Sequence, residues 1–380
     1  MNRIYLDHAA TSPIHPQVIT KMMEAMEQTY GNPSSIHATG REARKQLDIA
    51  RQQFASSIGA KDQDIILTSG GTEADNFAIF GTAYARKTEG SHIITSQIEH
   101  HAVLTACEKL EKEGFEVTYL PVNSQGRLTV EDVKQALRDD TILVTIMLGN
   151  NEVGTIQPIQ EIGELLNDHK ATFHTDAVQA YGLLPVSVDD LKVDLLSVSS
   201  HKINGPKGIG FLYHRKGTKL SPQFFGGQQE RKRRAGTENV PGILAFAEAV
   251  TIAQQTMEEK RDQYSQFKKE MVSIWQQAEI DFKVNGEEQF TLPHILNVSF
   301  AGTDVESLLV NLDMAGLSVS SGSACTAGSI NPSHVLVAMY GEKASELRNS
   351  IRFSFGYGVT DAEIKEAATI TANVVKRLVK

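Results

Sequence analysis

From about Asp64 onward the chain alternates short apolar runs with amphipathic stretches. The runs at 65–67, 92–94, 117–120, 142–147, 172–174, 195–198 and 209–213 read as strands, and stretches such as 102–112 and 159–167 carry apolar positions at helical spacing. That alternation predicts a mainly parallel sheet covered by helices on both faces. Upstream, 16–30 and 41–57 read as helices, with Gly31 and Gly59 where C-terminal caps would fall. After about Gln255 the texture changes. Residues 258–277 are highly charged and read as one long surface helix. A smaller α+β pattern follows: strands at 295–300 and 351–355, a helix at 305–314 and a last helix at 360–378. The expected division is a large domain over 13–255 and a small α+β domain over 256–380, with residues 1–12 returning to join the small one.

Composition narrows the functional classes. At 380 residues the chain exceeds the size at which one core usually stops growing. Its 37 basic and 46 acidic side chains give a formal charge of −9, which argues against broad binding to nucleic acid or an anionic membrane. The basic run Arg231-Lys232-Arg233-Arg234 is read as a local anion or interface feature. The N-terminus carries no signal-peptide pattern, and apolar stretches such as 142–148 and 243–253 are too short to span a bilayer. Two cysteines, Cys107 and Cys325, cannot build a disulfide framework, and the cytoplasm is the expected compartment.

Chemistry collects at the ends of the strand-like runs, where open α/β sheets bind ligands. The run at 65–67 leads into Thr68-Ser69-Gly70-Gly71-Thr72-Glu73-Ala74-Asp75. Two glycines allow close backbone approach, Thr72 is a candidate N-cap, and Asp75 stands in the capping-box position. The helix start would suit a phosphate, although alone the segment also reads as an ordinary capped turn. The run at 172–174 ends in Asp176 with Gln179 close behind, and that at 195–198 in Ser199-Ser200-His201-Lys202. A lysine and a carboxylate on strand ends are what pyridoxal phosphate (PLP) needs: an amine for its Schiff base and an anion at its ring nitrogen.

These segments, with Glu99-His100-His101, Asn150-Asn151-Glu152-Val153-Gly154 and Ser320-Ser321-Gly322-Ser323-Ala324-Cys325, together resemble the cysteine desulfurases. The cysteine loop points to the NifS/IscS-type branch of the class-V aminotransferase-like PLP enzymes. The similarity runs from Tyr5-Leu6-Asp7-His8-Ala9-Ala10-Thr11 to about Gly356. It implies an α/β architecture, PLP-dependent transferase fold type I (aspartate-aminotransferase-like), whose large domain holds a mainly parallel seven-stranded sheet beside a smaller α+β domain.

The resemblance also implies roles. Lys202 would bond PLP, Asp176 would pair with the ring nitrogen, and Gln179 would contact the ring hydroxyl. His100 would stack on the ring and is the candidate acid/base for the substrate thiol. Gly71, Thr72, Ser199 and His201 would hold the phosphate, with Thr237 reaching the phosphate of a neighbouring subunit in a homodimer. Asn151, also placed beside the cofactor, would take the substrate carboxylate together with Arg352, whose planar fork can bond both oxygens. No metal is implied, because no Cys/His/carboxylate cluster at ligand spacing accompanies His100 and His101. Cys107 falls on the apolar face of a helix and reads as a buried structural thiol. Cys325 lies among small residues, and the implied role is a swinging nucleophile.

The implied reaction takes sulfur from L-cysteine as a persulfide on Cys325, releases L-alanine and passes the sulfur to an acceptor for iron–sulfur cluster assembly or tRNA thiolation. A selenocysteine lyase or an aminotransferase on the same fold, or a non-catalytic scaffold, are the competing readings. Some relatives dock an iron–sulfur scaffold protein through a longer C-terminal tail. Because the sequence ends at Lys380 soon after the last helix, that docking mode is not expected.

Overall fold

The computed structural model describes residues 3–321 and 332–379. After a short strand β1 (Ile4–Tyr5), the chain builds a sheet from β2 (Ile65–Thr68), β3 (His92–Ser96), β4 (Glu116–Leu120), β5 (Thr141–Thr145), β6 (Thr172–Asp176), β7 (Leu195–Ser199) and β8 (Gly210–His214). The order across this seven-stranded sheet is β2-β8-β7-β6-β5-β3-β4. Every neighbouring pair from β4 to β7 is parallel, and β8 runs antiparallel to both β7 and β2. The reversal has a local cause. Only residues 200–209 join β7 to β8, whereas a parallel neighbour needs a crossover of about a dozen residues or more. The sheet is therefore mainly parallel, as the sequence pattern implies.

Strands β2, β3, β5, β6 and β7 are buried along their whole length. Both faces are covered, which explains continuous apolar runs in place of alternation. At the sheet edge β4 is more polar and more exposed. The parallel strands point one way, so Thr68, Ser96, Asp176 and Ser199 finish at the same edge.

A second sheet, antiparallel, holds β9 (Phe282–Asn285), β10 (Ile295–Phe300) and β12 (Ser350–Ser354) in the order β12-β10-β9, while β11 (Leu317–Ser318) pairs parallel with β1. The helices Met257–Gln277 and Asp361–Val379 pack together beside it. The first, charged over most of its length, buries Tyr264, Phe267, Met271 and Trp275 along one stripe. Trp275 packs against Phe300 and Phe353, and its indole N–H donates to the Ala368 carbonyl at 3.0 Å. Ile4 and Leu6 belong to this core, which is separate from the one under the large sheet. Among the described residues no helix is long and apolar enough to cross a membrane.

Two local expectations need correction. Gly31 is not a helix cap: the first helix ends at Gln28 with Thr29 as its cap, and a Cβ on Gly31 would come within 2.4 Å of the Thr39 carbonyl oxygen. Close approach of two backbone segments, not a left-handed turn, requires glycine there. Gly59 does adopt φ +70° after its helix, and Ala60 N donates back to Ala55 O at 2.9 Å. Thr72 is not the N-cap either. The helix Gly71–Arg86 is capped by Gly70 at φ +146°, a region open in practice only to glycine. Asp75 then turns inward, with its Oδ1 3.7 Å from His174 Nε2.

Candidate active site

Residues from distant parts of the chain meet in a cleft of about 390 Å³ at the C-terminal edge of the large sheet. Asp176, the last residue of β6, is buried, and Val178 N donates to its Oδ1 at 2.8 Å. Burial raises its carboxyl to about 6, against the pull of the Val178 N–H and the Lys202 ammonium. Lys202 follows β7 on a single 3-10 turn, Ser200–Lys202. Its Nζ donates to the carbonyls of Ala9 at 2.5 Å and Ala10 at 2.9 Å. Burial first, and then Arg352, bring this amine down to about 8, while Asp176 and Asp7 act in the opposite direction.

The N-terminal segment binds the cleft together. Besides meeting Lys202, Ala9 O accepts Gln179 Nε2 at 2.9 Å. Thr11 Oγ1 lies 3.1 Å from His201 Nδ1, and Asp7 Oδ1 accepts Arg352 Nη2 at 2.8 Å. Arg352 Nη1 donates to the Asn151 carbonyl at 2.7 Å, and its Nε has no partner among the described residues. The guanidinium and Asn151 both border the cleft.

His100 caps the helix His101–Glu111, its Nδ1 accepting Ala102 N at 3.1 Å. The ring hydrogen therefore sits on Nε2. Burial, Lys202, His101 and His334 lower its pKa to about 4, so the ring is neutral. Held this way it offers an aromatic face and an N–H donor. To accept a proton it must release Ala102. His201 is likewise lowered to about 4, by burial and then by Lys202 and Lys207.

At the other end of the cleft stand Gly71, Thr72 and Ser199. A Cβ on Gly71 would meet Val178 Cγ2 at 2.9 Å, so this glycine keeps the first turn of its helix against the loop after β6. Glu73 accepts Ser69 N at 2.8 Å and binds Arg234 through both oxygens, at 2.9 and 3.1 Å. Burial opposes its ionisation, but the bonds from Arg234 and Ser69 hold it below the usual carboxylate range. Arg234 thus spends its charge on bracing this turn. Its neighbour Arg233 donates to the backbone at Gln63.

The cleft brings together Lys202, Asp176, Gln179, His100, His201, Gly71, Thr72, Ser199, Asn151 and Arg352. Thr237 is exposed and lies apart from it. Cys325 lies outside the described residues, but Ser320 and His334, on either side of that segment, both line the cleft. Cys107 is buried in its helix, and burial drives its thiol far above the ordinary range, as its apolar setting implies. Sequence reasoning gave no role to Glu99. This side chain is fully buried under the site, accepting Ser96 Oγ at 2.6 Å and Met147 N at 3.0 Å, and burial raises it to about 8. Its place inside Glu99-His100-His101 was the available signal.

The profile of the aminotransferase class-V family matches residues 4–366. The chain belongs to this family. It is 61% identical, over the full length of both chains, to the putative cysteine desulfurase IscS 1 of Bacillus subtilis (strain 168). The solved structure of a NifS-like protein superposes with a TM-score of 0.92 at 34% identity, covering 99% of this chain and all of the other. Another, titled SspA in complex with cysteine, gives 0.81 at 37% identity, covering 93% of this chain and 98% of its own. Within the class-V aminotransferases the chain thus stands among the cysteine desulfurases, which depend on PLP. The residues present fit that cofactor. The cleft offers an amine, a buried carboxylate, an amide and an imidazole face. It also offers a glycine-formed helix start with two hydroxyls, Thr72 and Ser199, beside it.

Proposed function

We propose that this cysteine desulfurase removes sulfur from L-cysteine by way of a persulfide on Cys325, with Lys202, Asp176, Gln179 and the Gly71 turn holding PLP. The observation that carries this reading is the meeting of Lys202 and Asp176 in one cleft bordered by Arg352 and by both flanks of the Cys325 segment. When bound, PLP supplies an electron sink for charge that develops at the substrate Cα.

The chain's own groups do the rest. Thr72, Ser199, His201 and the first-turn N–H groups after Gly70 hold the phosphate. Asp176, ionised at neutral pH, holds a proton on the ring nitrogen, Gln179 donates to the ring hydroxyl, and His100 covers one face. Arg352 and Asn151 orient the substrate carboxylate. Lys202 takes the Cα proton as a neutral amine. His100 holds a proton at Nε2 beside the substrate sulfur. The Cys325 thiolate attacks that sulfur: a new S–S bond forms, the C–S bond breaks, and its electron pair stays on carbon. Protonation of that carbon, and return of the Cα proton from Lys202, give alanine, and the sulfur remains on Cys325.

The same reading extends to assembly. Residues 13–255 form the large domain, and 1–12 with 256–380 the small one; the buried members of the smaller core all come from the latter two segments, although Ala9, Leu292 and Ile295 pack into the core of the large sheet. Two copies pair so that Thr237 of each reaches the other's phosphate site. Exposed Ile36 and Phe225, 90% and 87% accessible, support such pairing. Ile36 lines a broad cleft of about 1240 Å³ between residues 33–52 and 228–238. The persulfide is then delivered, in the cytoplasm, to an iron–sulfur scaffold or a tRNA-thiolating enzyme.

Incubation with cysteine tests the reaction. Wild type releases alanine, and sulfide once a reducing thiol is added. Lys202→Ala releases neither and loses the cofactor's visible absorbance. Alanine formation by Lys202→Ala at the wild-type rate would remove the basis of this reading. Radioactive sulfur from cysteine, followed in a cell extract, identifies the acceptor.

A further inference from the structure

Behind the amide of Gln179 lies a histidine that the reaction scheme leaves unused. His294, just before β10, is buried, and its Nε2 is 3.1 Å from Gln179 Oε1. The backbone around it is fixed by Phe355 N, which donates to its carbonyl at 2.9 Å. Its Nδ1 is buried with no partner among the described residues.

The protonation pattern follows from counting donors. Ala9 O can only accept, so the Gln179 group facing it at 2.9 Å is the NH2, and Oε1 must face His294. With the ring hydrogen on Nε2, His294 donates to that oxygen and only an acceptor, Nδ1, goes unmatched. With the hydrogen on Nδ1, a buried donor would be orphaned and two acceptors would confront each other at Nε2 and Oε1. An orphaned buried polar group costs more than a formed bond returns, so the first arrangement holds. Burial, with Lys268, His8, Lys202 and Arg352 nearby, keeps the ring neutral and prevents a second proton from filling Nδ1.

We infer that His294 is a positioning residue for the cofactor: by donating Nε2–H to Gln179 Oε1 it fixes the amide so that its second N–H points to the ring hydroxyl. This rests on the reading that Gln179 contacts that hydroxyl. Ala9 O and His294 clamp the amide from two sides. Without the histidine, Oε1 is a buried acceptor with nothing to accept, and the amide can rotate away from the ring. Among the described residues no other side chain donates to Gln179 Oε1.

The test uses PLP-loaded enzyme without substrate and reads the ratio of the cofactor's two long-wavelength absorbance bands at fixed pH. That ratio reports the hydrogen bond at the ring hydroxyl, and activity does not enter. Gln179→Ala and His294→Phe are expected to change it in the same direction by roughly two- to tenfold, the range for one hydrogen bond. The double variant should change it no further, and His294→Gln, which keeps an N–H donor, should restore it. If His294→Phe fails to fold, His294→Asn, polar but too short to reach Oε1, takes its place. A wild-type ratio in the His294 variant alongside a shifted one in Gln179→Ala overturns the positioning role. A wild-type ratio in Gln179→Ala overturns the underlying contact, and the inference with it.

Discussion

Lys202 and Asp176 show how a shared burial sets two titrations against each other. Burial pushes the amine down to about 8 and the carboxyl up to about 6, so both approach neutrality from opposite sides. The amine must be neutral to bond an aldehyde. Capture of PLP by the cofactor-free enzyme, followed by stopped-flow absorbance, should therefore accelerate as pH rises through about 8 and level off above it. Arg352 lowers the Lys202 value, so Arg352→Ala should move that midpoint upward and slow capture at neutral pH. Asp176→Asn removes the anion while keeping the shape. It should retain PLP and lose roughly 10²–10³-fold in kcat, the scale of one preorganised electrostatic contact. Lys202 and Asp176 stood out in the sequence because each sits at a strand end, whereas only the family resemblance drew attention to Arg352 in its strand. Glu99 and His294 were not assigned roles, because their burial and partners arise only when β3, β5 and β10 are brought together.

At the scale of elements, one bend is held by a buried clamp. Glu230, Arg231 and Lys232 all have positive φ, at 46°, 57° and 67°, which is costly for residues with side chains. The buried Glu230 holds this bend by binding Arg51 through both oxygens, at 2.6 and 2.8 Å, and accepting Leu67 N at 3.0 Å. Glu230→Gln should cost about 3–5 kcal/mol in thermal or urea unfolding, as expected when one partner of a buried ion pair is removed. Preserved stability would show that the bend holds itself. Sequence periodicity found the long elements well: the helix at 305–314 and the strand at 295–300 coincide with the observed Val305–Met314 and Ile295–Phe300. It missed β9, a short edge strand, and the helix His334–Tyr340, because so few residues carry too little period to detect. The reversed direction of β8 could not be read from its residues, since it follows from the length of the link before it.

For the whole molecule, the important fact is where the two cores touch. Asp7, just after β1, and Arg352, in β12, come from one side, Asp176 at the end of β6 and Lys202 just after β7 from the other, and the segment 7–12 laces them through backbone carbonyls. A homodimer would add Thr237 from outside. Sedimentation should give twice the 41.6 kDa chain mass, and Phe225→Asp should reduce it to one chain while leaving Lys202 able to react with free PLP. A wild-type chain that sediments as a monomer would contradict the pairing.

Sulfur is proposed to pass through Cys325. Mass spectrometry of peptides after a single turnover of PLP-loaded enzyme with L-cysteine tests it most directly. One added sulfur atom is expected on the Cys325 peptide for each alanine released, none on the Cys107 peptide, and none in Cys325→Ser, which keeps its PLP. Alanine and sulfide appearing at the wild-type rate from Cys325→Ser would contradict it.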